Sequence, residues 1–232
     1  MFPETRLSAI ESLRSENPML RNQGWSRIIA AYWKPVYKYI RVRWHADGES
    51  AQDLTQAFFT RALEKDHFAP YNPAAASFRT YLRVCLDGFI ANDRQHESRQ
   101  KRYAGPMLSL DFKSAEGELR SIDMPVAANL DEFFYAEWRR SLFELALERF
   151  RCTSKPPYVS LFERYHLCDS DSRPSYAELA TESNLTINTV TNHLAAARRD
   201  FRRALLETLR DITANEREFH AEAAALTGER FP

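Results

Sequence analysis

The chain is poor in the residues that turn-rich folds need, with 6 glycines and 11 prolines in 232 residues. So few turn formers exclude a sandwich or barrel of short strands, which needs a turn signal about every ten residues. Cysteine is scarce as well. Cys85, Cys152 and Cys168 are odd in number and lack C-x-x-C spacing, so neither a disulfide framework nor a thiolate zinc site is expected. His166 and Cys168 stand too close for a usual structural zinc pair, and no second pair lies nearby. No apolar run approaches the roughly 20 residues of a membrane span, and Met1 to Leu13 hold no apolar signal core. A cytoplasmic chain without a membrane partner is expected. Net charge is also missing, because 32 Lys+Arg balance 32 Asp+Glu. Only the distribution of charge can point to a nucleic-acid partner.

What is there is helical pattern, in two clusters. In the first, Trp25, Ile28, Ile29, Tyr32, Val36 and Ile40 recur at helical spacing, and Pro35 is expected to kink or divide that helix. Ser50 to Asp53 matches a capping box with Ser50 at the N-cap, opening a helix that carries Leu54, Ala57, Phe58 and Ala62. Tyr71 to Ser77 reads as a loop, with Ser77 capping a third helix. There Phe78, Tyr81, Leu82, Cys85, Leu86, Phe89 and Ile90 form one apolar stripe. The other side carries Arg79, Arg83, Asn92, Arg94 and Gln95 and runs into Arg99, Lys101 and Arg102.

From Tyr103 to about Asn129 the periodicity fails. Gly105, Pro106 and Pro125 punctuate this stretch, and Asp111, Glu116, Glu118 and Asp123 give it an acidic bias. An irregular linker is expected. Helices resume with Phe134, Trp138, Leu142 and Leu145, then with Tyr158, Leu161, Phe162 and Tyr165, separated by a turn at Thr153 to Pro157.

Ser175 to Leu194 is the most informative stretch of the second half. Tyr176 to Glu182 reads as a helix, Asn184 stands where a sharp turn needs a left-handed residue, and Thr186 caps a new helix. Ala180 is small where the helices would cross, and Leu179, Leu185, Ile187, Val190 and Leu194 supply a shared core. This is the helix-turn-helix arrangement of DNA-binding proteins. Asn188, Thr189, Thr191 and Asn192 are candidates for base or phosphate contacts. Arg198 and Arg199, with Arg202 and Arg203, are candidates for the phosphate backbone. An ordinary helical hairpin would need no particular residue at Ala180 or Asn184.

Three ordered motifs carry a resemblance. Asp53-Leu54-Thr55-Gln56-Ala57-Phe58-Phe59-Thr60-Arg61 resembles the D-L-x-Q-x-x-F-x-R pattern of sigma region two. Phe78-Arg79-Thr80-Tyr81-Leu82 resembles the F-R-x-[WY]-L that opens a promoter-melting helix. Ser175-Tyr176-Ala177-Glu178-Leu179-Ala180, with Thr189-Val190, resembles the S-Y-x-E-[IL]-A…T-V signature of region four. From about Trp25 to Leu209 the chain is similar to RNA polymerase sigma factors of the extracytoplasmic-function type. It departs from their pattern at Thr153 to Tyr158, where L-P-x-x-x-R is usual, and at Thr191, Asn192 and His193, where basic residues are common.

The resemblance implies an all-α fold. Residues 1–103 would form a region-two-like domain, 104–129 an irregular linker, 130–209 a region-four-like helix-turn-helix domain and 210–232 a helical extension. It implies that Asp53, Gln56 and Arg61 contact core RNA polymerase at the clamp helices of its largest subunit, with the second domain at the flap. It implies that Tyr71, Asn72, Ser77, Arg79, Arg83, Asn92 and Arg94 meet the minus-ten promoter element, with no catalytic residue, metal or cofactor. Tyr81 and Phe89 are expected in the core. The extension, with a short helix over Glu216 to Leu226, is expected to fold back on the second domain or to meet an anti-sigma or other regulator. The alternative is a stand-alone helix-turn-helix regulator, and the first-half motifs speak against it. An enzyme would need an acid–base or metal cluster, and the six histidines are scattered.

Overall fold

The computed structural model describes residues 7–96, 110–120, 129–169 and 172–228, without the side chains of 94–96. Among the described residues there are ten α-helices and no strand. They are α1 (Ala9–Leu13), α2 (Pro18–Arg43), α3 (Gly48–Glu64), α4 (Phe78–His96), α5 (Phe112–Arg120), α6 (Leu130–Thr153), α7 (Pro156–His166), α8 (Tyr176–Glu182), α9 (Ile187–Asp211) and α10 (Glu216–Thr227). None is long and apolar enough to cross a membrane. Two compact units form, one of residues 1–141 with 209–232, the other of 142–208. Helices α6 and α9 therefore each contribute to both.

The first unit is built on α2. Asn17 caps it by accepting from the Met19 amide at 2.9 Å, and Pro18 fills the first turn, where its missing N–H costs nothing. Of the two outcomes expected at Pro35, division does not occur, and the helix runs unbroken through it to Arg43. Pro35 is itself buried, so packing outweighs one lost backbone bond. Gly24 is needed here because a Cβ would come within 2.7 Å of the Ala9 carbonyl oxygen of α1.

An aromatic core joins α2, α3 and α4. Tyr32 meets Phe78 edge-on at 5.6 Å, Trp25 lies 5.2 Å from Phe68, and Phe58 contacts both Phe68 and Phe89. Phe89 is buried as expected, whereas Tyr81 is only partly buried. The N-cap of α3 lies three residues before the one read from sequence. Asp47 is the N-cap, accepting from the Ser50 amide at 2.8 Å, and Ser50 lies inside the first turn. The Asp47 carboxylate reaches the same amide that Ser50 was expected to leave for Asp53.

The linker is not wholly irregular, for α5 lies within it. Its Phe112, Ala115 and Leu119 are buried, with Phe112 against Trp33 and Tyr37 of α2. The acidic residues of α5 meet a cationic face of α2. Lys34 and Lys38 both donate to Glu118, at 2.7 and 2.6 Å, and Arg41 donates twice to Glu116. Lys38, 1% exposed, also donates to Glu137 of α6 at 2.5 Å. The Arg41 bonds hold the Glu116 carboxyl below its ordinary pKa despite opposing burial. Two carboxylates on one buried ammonium make a charge-assisted cluster that removal of the cation would leave unbalanced.

The second unit is a small apolar bundle of the end of α6 with α7, α8 and α9. Phe150, Phe162 and Phe201 stack within 4.9–5.9 Å of one another beside Leu147, Ala197 and Ala204. A second cluster unites Leu161 with Leu179, Ala180, Val190 and Leu194. The extension ends in α10 as expected, but it belongs to the first unit and not the second. Its acidic face finds its partners there, as described next.

Candidate nucleic-acid interface

In the second unit the local sequence builds a tight helix-turn-helix. Ser175 and Glu178 form a reciprocal capping box at the start of α8 (Glu178 N to Ser175 Oγ 3.2 Å, Ser175 N to Glu178 Oε2 2.7 Å). The turn passes through Asn184 at φ 53°, a left-handed conformation that asparagine tolerates better than most side chains. The Leu185 amide closes the turn on the Ala180 carbonyl at 2.9 Å, and Thr186 Oγ1 caps α9 by accepting from Thr189 N at 3.1 Å.

Helix α9 buries Val190 and Leu194 and turns Asn188, Thr191 and Asn192 to solvent. Thr189 is half-buried, its hydroxyl paired with Thr186 at 2.8 Å. Ile187, expected in the shared core, is 53% exposed instead. It stands outside the cluster that Leu179, Val190 and Leu194 form. Arg198 and Arg199 are both exposed. Arg198 is also oriented by its neighbours, donating to His166 Nε2 and to the Tyr176 hydroxyl, each at 3.1 Å. Burial first, then Arg198 and Arg173, lower the His166 pKa and keep its ring an acceptor. The α9 face thus offers amide, hydroxyl and guanidinium groups open to a ligand.

The candidate face of the first unit is differently disposed. Tyr71 is 2% exposed, and its hydroxyl donates to the Ala76 carbonyl and to Glu218 Oε1 of α10, both at 3.0 Å. Burial and that carboxylate push the phenol pKa strongly up. Asn72 is exposed, its side chain capping the Ala74 amide at 3.0 Å. Ser77 Oγ pairs with Thr80 Oγ1 at 3.0 Å. Arg79 is held by Glu222 of α10 at 2.8 Å and lies 4.2 Å over the Tyr135 ring. Arg83 bridges Asp87 and Asp131, each at 3.0 Å. Asn92 is exposed, and the side chain of Arg94 lies outside the described residues, as do Arg99, Lys101 and Arg102.

On α3, Asp53 is exposed and Gln56 partly so. With Asp47 as N-cap, Asp53 has no capping work. Arg61 is half-buried with its guanidinium 5.9 Å from the Phe89 ring centre, and its Nε makes no hydrogen bond. No group of His, Cys, Asp or Glu able to hold a metal occurs among the described residues.

Sequence reasoning missed Glu218 and Glu222. They are four residues apart on α10, each followed by an apolar residue, Phe219 and Ala223, and all four are buried. Glutamates at this spacing ordinarily mark a solvated face, so only the partners reveal their role.

No protein-family model, no curated protein and no solved structure matches the chain.

Proposed function

We propose that this chain is an RNA polymerase sigma factor of the extracytoplasmic-function type. In this reading it joins core polymerase, recognises promoter DNA and helps open it, without covalent chemistry, in the cytoplasm. The observation that carries the reading is the α8–α9 turn, with left-handed Asn184, the Ser175–Glu178 box and an open face of Asn188, Thr191 and Asn192. Such a helix end fits the major groove, where asparagine can pair bidentately with adenine and arginines beside it neutralise phosphates. The motif resemblance of α3 and α4 supports the polymerase and minus-ten roles. Exposed Asp53 and accessible Gln56 suit docking onto another protein, and the cations of α4 suit a separated strand. Binding energy for unpaired strands would then offset part of the cost of opening the duplex.

The test is binding of the purified chain to core RNA polymerase, with run-off transcription of genomic fragments. Binding with promoter-specific transcripts is the expected result, and Asp53→Ala with Gln56→Ala should weaken the binding. A chain that binds duplex DNA but not polymerase would be a stand-alone helix-turn-helix regulator.

A further inference from the structure

We propose that α10 is an autoinhibitory strap, whose two buried carboxylates occupy the nucleic-acid face of the first unit in the free protein. The inference rests on the reading above only in taking the Tyr71–Arg83 surface as the face that meets a DNA strand.

Four observations converge on it. Glu218, 8% exposed, accepts from the Phe78 amide at 2.6 Å and from the Tyr71 hydroxyl at 3.0 Å. The Phe78 amide is one of the first-turn donors of α4 that have no partner within their own helix. Glu222, 4% exposed, takes the Arg79 guanidinium at 2.8 Å. Helix α10 is anchored beneath by Phe219 and Ala223, and Glu218 Oε2 also accepts from the Ala214 amide at 2.8 Å, fixing the turn that brings it in.

A carboxylate on a helix N-terminus beside an arginine stands where that arrangement takes a phosphate or another anion. Tyr71, the aromatic candidate for stacking on a base, lies in the same contact. Two of the groups assigned to the DNA strand, Tyr71 and Arg79, are therefore satisfied by α10.

The contact is also poised to open. Only Glu222 of the two carboxylates has a guanidinium partner, and burial, with the nearby Glu218 carboxylate adding to it, raises the Glu222 pKa in spite of Arg79. A polyanion competing for Arg79 and the α4 terminus would let both glutamates return to water. The strap is thus displaced by the ligand class whose place it holds.

The test uses the full-length chain with two releasing variants. Ala223→Asp puts a charge at a fully buried position of α10 and makes the chain more acidic, so general electrostatics would weaken DNA binding. Glu218→Ala removes the hold on α4 directly. Amide hydrogen exchange over residues 71–80 reads release, and anisotropy of a fluorescein-labelled single-stranded DNA of mixed sequence reads binding. Release should speed exchange and tighten DNA binding about tenfold, a difference of about 1.4 kcal/mol. Adding Arg79→Ala should abolish the gain.

Faster exchange with unchanged or weaker DNA binding overturns the proposal. So does unchanged exchange in both variants, since the carboxylates would then not hold the strap. If Ala223→Asp does not fold, Glu218→Ala decides by the same two readouts. Core polymerase binding is measured on the same proteins. Its absence throughout, wild type included, removes the initiation-factor reading and leaves the strap standing on its DNA result.

Discussion

The two candidate DNA faces carry similar chemistry and opposite availability. In the second unit Asn188, Thr191, Asn192, Arg198 and Arg199 face solvent. Arg198 contacts neutral groups, His166, Tyr176 and the ring of Tyr165. In the first, Tyr71 and Arg79 are engaged by α10 and Arg83 by two aspartates. The units differ in how they are held, too. The second closes on stacked phenylalanines and leucines, whereas the first adds buried ion pairs between segments far apart in sequence. An apolar core leaves surface polar groups to a ligand, while a core stabilised by charge draws them inward.

The largest expected effect breaks the charged side of this contrast. Lys38→Ala leaves Glu118 and Glu137 without their shared ammonium and should cost about 4 kcal/mol, read as a fall in the urea midpoint. Lys38→Met, which removes the charge but keeps the volume, should cost clearly less than alanine. On the apolar side, Leu194→Ala should cost about 3 kcal/mol by opening a cavity in a fully buried cluster. The loss should appear as faster exchange within 142–208.

The cations sharpen the comparison further. Arg79→Ala uncovers a buried carboxylate and should cost about 2 kcal/mol of stability while leaving duplex binding unchanged. Arg198→Ala with Arg199→Ala should do the reverse. Stability should change by less than about 0.5 kcal/mol, and the slope of log affinity against log salt should fall by about two. Equal salt slopes for the two substitutions would erase the distinction between a closed and an open face.

The smallest effect is one of pH. Because burial raises the Glu222 pKa, its contribution is fully present below the ordinary glutamate range. It is lost as pH rises through the raised value. Thermal midpoints of wild type and Glu222→Gln should therefore lie close in acid and separate in favour of glutamine toward neutral pH.

Much of this architecture is legible in the sequence where neighbours along the chain decide it. The α4 helix, the Asn184 turn and the cap at Thr186 depend on residues within a few positions, and the structure has them as read. The failures lie where distant partners decide. Helix α5 is stabilised by Lys34, Lys38 and Arg41, more than seventy residues earlier, and a nine-residue helix alone would be marginal in water. Ser50 lost the N-cap to Asp47, a competition between two good capping residues that shifts the boundary by one turn. Of the candidate site, the exposure of Asn188, Thr191 and Asn192 was legible. The occupation of the α4 face was not, since its carboxylates arrive from 140 residues away.

That the first unit is assembled from residues 1–141 and 209–232, with the second spelled out continuously between them, sets an order in time. A ribosome adds about 5–20 residues per second, so Phe78 waits on the order of ten seconds for Glu218 to be synthesised. The second unit has all its residues before the first does, although it begins later. The segment that covers the α4 face is made after the rest of its unit, so every nascent chain passes through an interval in which that face is still bare.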